Sequence, residues 1–237
     1  MENKVIWITG ASTGIGRELA KVLAKTGSII VVTARRKSRL TSLVNEIKFA
    51  GNQASAFVCN VTSERSVQIT TKRIREKYGR IDCLINNAGV TVFKSLQETK
   101  VYDYDYVLNT NLRGAFLCIK AVLPEMIKRR KGSIINIISV AASKPFINSA
   151  VYSASKAGLL AMANCLREEV RKFNIKVTNI LPGATETPMW DSKARQKYHS
   201  RMMAPKELAM TIASIIDTPK KVHLEEVVIR PLKGDLQ

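Results

Sequence analysis

The chain has 237 residues, and 38 Lys and Arg against 19 Asp and Glu give it a formal net charge of +19. That length suits one large domain with a sizeable core, and no apolar run approaches the span of a bilayer. The basic residues come in short groups, Arg35–Lys37, Lys128–Lys131 and Lys220–Lys221, set in ordinary globular sequence, which argues against a dedicated nucleic-acid surface and makes most of them solvated helix faces.

Stretches rich in Val and Ile predict strands at 4–9, 28–33, 54–58, 81–86, 132–139, 175–181 and 225–230, nearly apolar on both faces. Between them, helical patterns run near 15–26, 38–50, 63–78, 97–131 with a break, 150–172 and 205–216. Such alternation predicts right-handed crossovers and a doubly wound α/β sheet of about seven parallel strands with helices on both faces, in one domain over 1–237. Ligands in such sheets collect at the carboxyl ends of the strands. Cys59, Cys83, Cys118 and Cys165 stand far apart, with no C-x-x-C pair. They read as buried thiols of a reducing compartment, and His199 and His223 are too few and too remote to suggest a metal. The chain enters a strand by Lys4 without a basic region and apolar signal core, so a cytoplasmic protein is expected.

The chemistry-bearing residues follow strands. After the first comes Thr9-Gly10-Ala11-Ser12-Thr13-Gly14-Ile15-Gly16, whose glycines would let the backbone approach a pyrophosphate while helix amides point at the anion. Ser12 breaks the G-x-G-x-x-G spacing. After the second strand, Arg35 and Arg36 stand where an acidic residue would bind the ribose hydroxyls of NAD. Arginine there suits a 2′-phosphate, and cations are otherwise unfavourable at a helix start, so NADP(H) is the expected cofactor. Tyr152 and Lys156 share one face of a predicted helix. A cation roughly 4–5 Å from a phenol is worth about 3–4 kcal/mol at an effective dielectric near 20, enough to draw the tyrosine toward working pH.

Taken in order, these motifs resemble the short-chain dehydrogenase/reductase family. The glycine turn, Asn86-Asn87-Ala88-Gly89, Asn111, Ser139 thirteen residues before Tyr152, Tyr152-x-x-x-Lys156 and Pro182-Gly183-x-x-x-Thr187-x-Met189 cover positions 9 to 189. The resemblance implies a Rossmann-type fold and an NADP(H)-dependent carbonyl reductase or alcohol dehydrogenase. Gly10, Ser12, Thr13, Gly14, Ile15 and Gly16 would cradle the cofactor, though Thr13 stands where many NADP-binding relatives carry a second basic residue. Asn60-Val61 replaces the usual Asp-Val beside adenine, and an asparagine oxygen can still accept from its amino group. Asn86 would be structural, Asn87, Ala88 and Gly89 would line the cofactor, and Pro182, Gly183 and Thr187 would position its nicotinamide end. Ser139 would hold the substrate oxygen and Tyr152 would exchange its proton. Lys156 would lower the tyrosine pKa and bind the nicotinamide ribose, with Asn111 holding a water on that lysine.

Residues 188–204 should form a lid mixing Met189, Trp190, Tyr198, Met202 and Met203 with Lys193, Arg195, Lys197 and Arg201, the last four able to meet a carboxylate or simply to face solvent. The ending Glu226 to Leu232 looks more like relatives acting on small hydroxy acids than like the V-D-G-G ending of many acyl-carrier-protein reductases. A small-molecule carbonyl or secondary alcohol is therefore the expected substrate. A 3-oxoacyl-acyl-carrier-protein reductase and a non-catalytic dinucleotide sensor are the alternatives. Apolar residues on the helices at 112–131 and 150–172, among them Phe116, Ile119, Leu123, Leu159, Met162 and Leu166, exceed what one sheet face needs, and in the family these helices pair about a two-fold axis. A homodimer or homotetramer is expected.

Overall fold

The computed structural model describes residues 3–216, 218–219 and 221–236, so Lys220 of the third basic group lies outside the described residues. The apolar runs form seven parallel strands, β1 (Val5–Thr9), β2 (Ile29–Ala34), β3 (Ala54–Val58), β4 (Cys83–Asn86), β5 (Gly132–Ile137), β6 (Ile175–Pro182) and β7 (Glu226–Ile229), in the order β3-β2-β1-β4-β5-β6-β7. The helices are α1 (Gly14–Ala24), α2 (Lys37–Phe49), α3 (Glu64–Tyr78), α4 (Val101–Leu108), α5 (Gly114–Arg129), α6 (Ala150–Arg171), α7 (Ser192–Tyr198) and α8 (Pro205–Ile216).

Every residue of β1 is buried, because both its faces are covered. Ile6 and Ile8 pack in one core with Leu19, Leu23, Leu40 and Ile212, while Val5 and Trp7 pack in the other with Val67, Leu117, Val122 and Leu166. Beside β1 the strand order jumps to β4, and Ile6–Ile8 pair with Cys83–Ile85. At the foot of this seam the Asp82 carboxylate accepts from the Val5 amide at 2.9 Å and from Arg80 and Arg129. At its carboxyl end the reversal of strand order opens a crevice, and the candidate site lies there.

The expected sheet is present, with corrections at its margins. The edge strands are not apolar on both faces: β3 turns Ala56 and Val58 to solvent and β7 exposes Glu226 and Val228. The break expected within 97–131 is one π-helical turn, Asn109–Arg113, whose last step bonds the Gly114 amide to the Asn109 carbonyl. Within the expected lid, α7 is a short helix that no apolar period announces. Cys165 is exposed on α6, against the expectation that all four thiols are buried. Ile119, Leu159 and Leu166 are buried within the chain's own core, so of the six apolar residues assigned to an interface only Phe116 is exposed.

Candidate active site

The turn after β1 is shaped by close approach. Gly10 and Gly14 have φ of +66° and +59°, a region that favours glycine. A Cβ at Gly10 would lie 2.6 Å from the Ala88 Cα, and one at Gly14 would lie 3.2 Å from the Thr187 Cβ. The turn is thus pressed between the loop after β4 and the loop after β6. Asn87 secures the first contact, donating its side-chain amide to the Thr9 and Gly10 carbonyls at 2.9 and 3.2 Å. The main-chain amides of Asn87 and Ala88 donate to the Thr9 hydroxyl. Asn87, expected to line a cofactor, therefore spends its amide protons holding the turn. Gly16 is buried against it and Ile15 packs on the core. At the start of α1, Thr13 supplies no side-chain cap and the first turn has no acidic residue, so the positive end of an 11-residue helix faces the turn. Such a cradle fits the diphosphate of a dinucleotide.

Beside it lies a cavity of about 410 Å³ lined by Ser12, Thr13, Arg17, Ser38, Arg39 and Ser42. Arg36 reaches over to donate to the Ser12 hydroxyl at 2.9 Å. The first turn of α2 holds Lys37, Ser38 and Arg39 with neither an acidic residue nor a side-chain cap, an arrangement that the helix dipole opposes unless an anion sits there. Among the described residues Arg35 and Arg39 make no ion pair, whereas Arg17 is held by Glu46. Arg39 and Arg17 were not singled out in the sequence. Arg39 was legible as a second cation in that same turn, while Arg17 comes to the cavity only through the docking of α1 beside α2. Asn60 departs from expectation: its Oδ1 accepts from both the Thr62 amide and hydroxyl, at 3.2 and 3.0 Å, so the acceptor assigned to adenine is committed to the turn before α3. Val61 is buried, and a Cβ at Gly114 would lie 2.8 Å from its Cγ2.

Two residues beyond β5, the Ser139 hydroxyl accepts from the Ala141 amide at 3.1 Å and lies close enough to the Tyr152 phenol to favour its ionised form. Tyr152 lies in the first turn of α6, with Lys156 one turn on. The Lys156 ammonium is buried, donates to the Ile137 carbonyl at 2.9 Å and lies 5.7 Å from the centre of the Tyr152 ring. Burial pushes the Lys156 pKa down to about 8. It also raises the phenol above its ordinary value, opposed by the neighbouring Ser139 hydroxyl. This corrects the expectation that the ammonium dominates the tyrosine, because desolvation acts on both groups and the ammonium is turned toward a carbonyl.

Asn111 sits in the π-helical turn. Its side chain brackets Val90, accepting from the amide at 2.8 Å and donating to the carbonyl at 2.9 Å, and its second proton goes to Ser155 at 3.0 Å. A Cβ on Gly89 would lie 3.5 Å from the Asn111 Oδ1 and 3.6 Å from the Lys156 Nζ, so the loop after β4 closes over both. Asn86 is structural, as expected, but as the end of a row the sequence analysis missed. It donates to Asn136, Asn136 to Asn179 and Asn179 to Asn164, at 2.9, 3.0 and 3.0 Å, across β4, β5 and β6 to α6. The signal was present in asparagines interrupting apolar strands.

Above these groups, Phe93 stacks on Trp190, with ring centres 5.3 Å apart and planes 27° apart. The segment expected to form a lid is anchored at its base, where the Glu186 amide donates to the Met203 carbonyl and the Met203 amide to the Ala184 carbonyl, both at 3.0 Å, and the Glu186 carboxylate meets His199 at 2.7 Å. Pro182 pairs with Ile229, and the Gly183 amide donates to the Ile229 carbonyl at 2.8 Å, fixing the exit of β6. Of the lid cations, Lys193 and Lys197 are exposed, and Arg201 donates to the Asp235 carbonyl. Among the described residues no cluster of His, Cys, Asp or Glu could hold a metal, and no helix is long and apolar enough to cross a membrane.

Residues 4–198 match the family model described as short chain dehydrogenase. The chain is 34% identical over 240 residues to a protein named sepiapterin reductase from Chlorobaculum tepidum, covering 98% of each. It is 37% identical over 220 residues to the 3-oxoacyl-[acyl-carrier-protein] reductase FabG of Thermotoga maritima, covering 90% of this chain and 89% of that one. Among solved structures, a variant of actinorhodin polyketide ketoreductase with NADPH superimposes with a TM-score of 0.91 at 30% identity, covering 100% of both chains.

Proposed function

Because the chain belongs to the short-chain dehydrogenase family of oxidoreductase enzymes, we propose that it reduces a carbonyl compound, or oxidises the matching secondary alcohol, with NADP(H). The observation that carries this is the meeting of the Ser139 and Tyr152 hydroxyls beside a buried Lys156 ammonium, at the mouth of a glycine cradle. The nicotinamide, when bound, supplies hydride to the carbonyl carbon. The Ser139 hydroxyl and the Tyr152 phenol hold the carbonyl oxygen, and Tyr152 passes its proton to it. Lys156, drawn down to about 8, titrates close enough to working pH to restore that proton. With its side chain committed to Val90 and Ser155, Asn111 holds the loop after β4 close to Lys156.

The cavity between α1 and α2, lined by Arg17 and Arg39 and reached by Arg36 through Ser12, supports NADP(H) over NAD(H), as does the NADPH in the similar ketoreductase structure. Replacing Arg35 and Arg36 together by Ala is expected to weaken NADPH binding by about 2–3 kcal/mol, roughly 30–150-fold, and to leave NADH nearly unchanged. Calorimetry with both cofactors checks this, and equal losses would make the arginines structural.

The decisive experiment follows nicotinamide absorbance with a panel of simple ketones, hydroxy acids and 3-oxoacyl thioesters. Turnover is expected. Tight NADPH binding with no turnover on any member would favour a dinucleotide sensor instead. The resemblance to FabG favours, as a second reading, a 3-oxoacyl thioester on an acyl carrier protein, and the thioesters in the panel test it.

A two-fold dimer or a tetramer also belongs to this reading. It rests on a smaller patch than expected, Phe116 on α5 with Val101, Tyr102 and Tyr104 exposed on α4. Light scattering is expected to give a multiple of 26.3 kDa, and a single-chain mass would refute it.

A further inference from the structure

The neighbourhood of strands β4, β5 and β6 determines what covers the reacting oxygen. Ser139 follows β5, the middle of the three. Phe93 is carried by the loop after β4 and Trp190 by the loop after β6, and their rings stack with centres 5.3 Å apart. Two loops from the flanking strands can touch in this way only by crossing the end of the strand between them. The aromatic pair therefore lies across the end of β5, over the stretch that carries Ser139.

Both stems are fixed. Before Phe93, Val90 is bracketed by the Asn111 side chain, and after it the Lys94 amide donates to the Asn148 carbonyl at 3.0 Å. The Trp190 amide donates to the Thr187 carbonyl at 3.1 Å, Thr187 rests against Gly14, and the next residue, Asp191, caps α7 through the Ala194 amide at 2.8 Å. Nevertheless the rings are not sealed in the core. Phe93 is 45% exposed and the adjoining Met189 38% exposed, which leaves an apolar rim at the mouth.

We propose that Phe93 and Trp190 determine specificity, selecting ketones whose carbonyl is conjugated to a flat aromatic or heteroaromatic ring that lies against the Trp190 face while its oxygen reaches Ser139 and Tyr152. A ring with a π-face gains an offset-stacked contact that a saturated ring of equal size lacks. This rests on the carbonyl-reductase reading of the site and names the class of substrate it takes.

The test compares acetophenone with cyclohexyl methyl ketone, which match in size and differ in the ring's planarity and π-system. The enzyme is expected to favour acetophenone by roughly tenfold in kcat/KM. Trp190→Leu and Phe93→Leu should abolish that preference, chiefly through a higher KM for acetophenone, while Trp190→Phe restores most of it. NADPH affinity, unchanged in all three variants, shows that they are folded. A preference absent from the parent enzyme, or surviving in Trp190→Leu, overturns the proposal. A second readout does not need turnover. Trp7, the other tryptophan, is buried with its indole N–H on the Thr33 hydroxyl at 2.9 Å, so ligand-dependent quenching reports on Trp190. Acetophenone should quench the NADPH complex more strongly than the cyclohexyl ketone, and the difference should vanish in Trp190→Leu. Quenching without turnover on any carbonyl would refute the reductase reading and leave the aromatic platform standing, whereas turnover without selective quenching would refute the platform alone.

Discussion

Tyr152→Phe is expected to lower kcat by about three orders of magnitude while NADPH affinity and fold persist. The substitution removes one hydroxyl and keeps the ring. Lys156 stays tethered to the Ile137 carbonyl, and the glycine cradle, held by Asn87 and Thr187, makes no use of the phenol. What disappears is the hydroxyl that lies beside Ser139 and carries the proton. Stopped-flow absorbance and a cofactor titration measure the two effects separately. Activity within tenfold of the parent would mean that the proton comes from elsewhere, and a parallel loss of NADPH binding would mean that Tyr152 serves the cofactor more than the substrate.

Lys156→Met is expected to abolish turnover and yet to make the protein more stable at neutral pH. Burial draws the lysine from 10.5 to about 8, so the native state binds this proton less tightly than the unfolded chain does. Between those two values the unfolded state holds more protons, and stability rises with pH across the window. Below it the full penalty applies, on the order of 3 kcal/mol, against which the bond to the Ile137 carbonyl returns about 1 kcal/mol. A methionine of similar volume leaves the carbonyl without its donor but removes the buried charge, for a net gain of about 2 kcal/mol near neutrality. The gain should shrink toward zero as pH approaches about 10. Urea unfolding of both proteins at several pH values checks the sign. A destabilised variant at neutral pH would show that the ammonium is better solvated than its burial indicates.

These effects differ in how far the sequence foretold them. That Tyr152, Lys156 and Ser139 would meet was legible, because helical spacing and a strand end place them with little freedom. That burial, rather than the neighbouring ammonium, governs the phenol was not, since it depends on α6 packing over β5 and on Lys156 turning to Ile137. The asparagines carry the same lesson. Asn60, Asn87 and Asn111 fall where their motifs place them, yet each commits side-chain hydrogen-bonding groups to backbone that only the folded chain brings near. Apolar residues mislead differently: Ile119, Leu159 and Leu166 suggested surplus surface for a partner, but α5 and α6 press them into the chain's own core. The stack of Phe93 on Trp190 had no local signal at all, because it joins loops nearly a hundred residues apart through the order of the strands.

The seam between β1 and β4 bears on how the chain comes off the ribosome. One edge of β1 finds β2 almost at once, but the other must wait for β4, and Val5 and Asp82 stand 77 positions apart. At about 5–20 residues per second, synthesis of that interval lasts roughly 4–15 seconds. Throughout it, the wholly buried strand Val5–Thr9 presents an unpaired edge flanked by four apolar side chains and one threonine. The nascent chain is therefore stickiest at the strand that later lies inside its sheet between β2 and β4, and the speed of translation through α2 and α3 sets the length of that exposure.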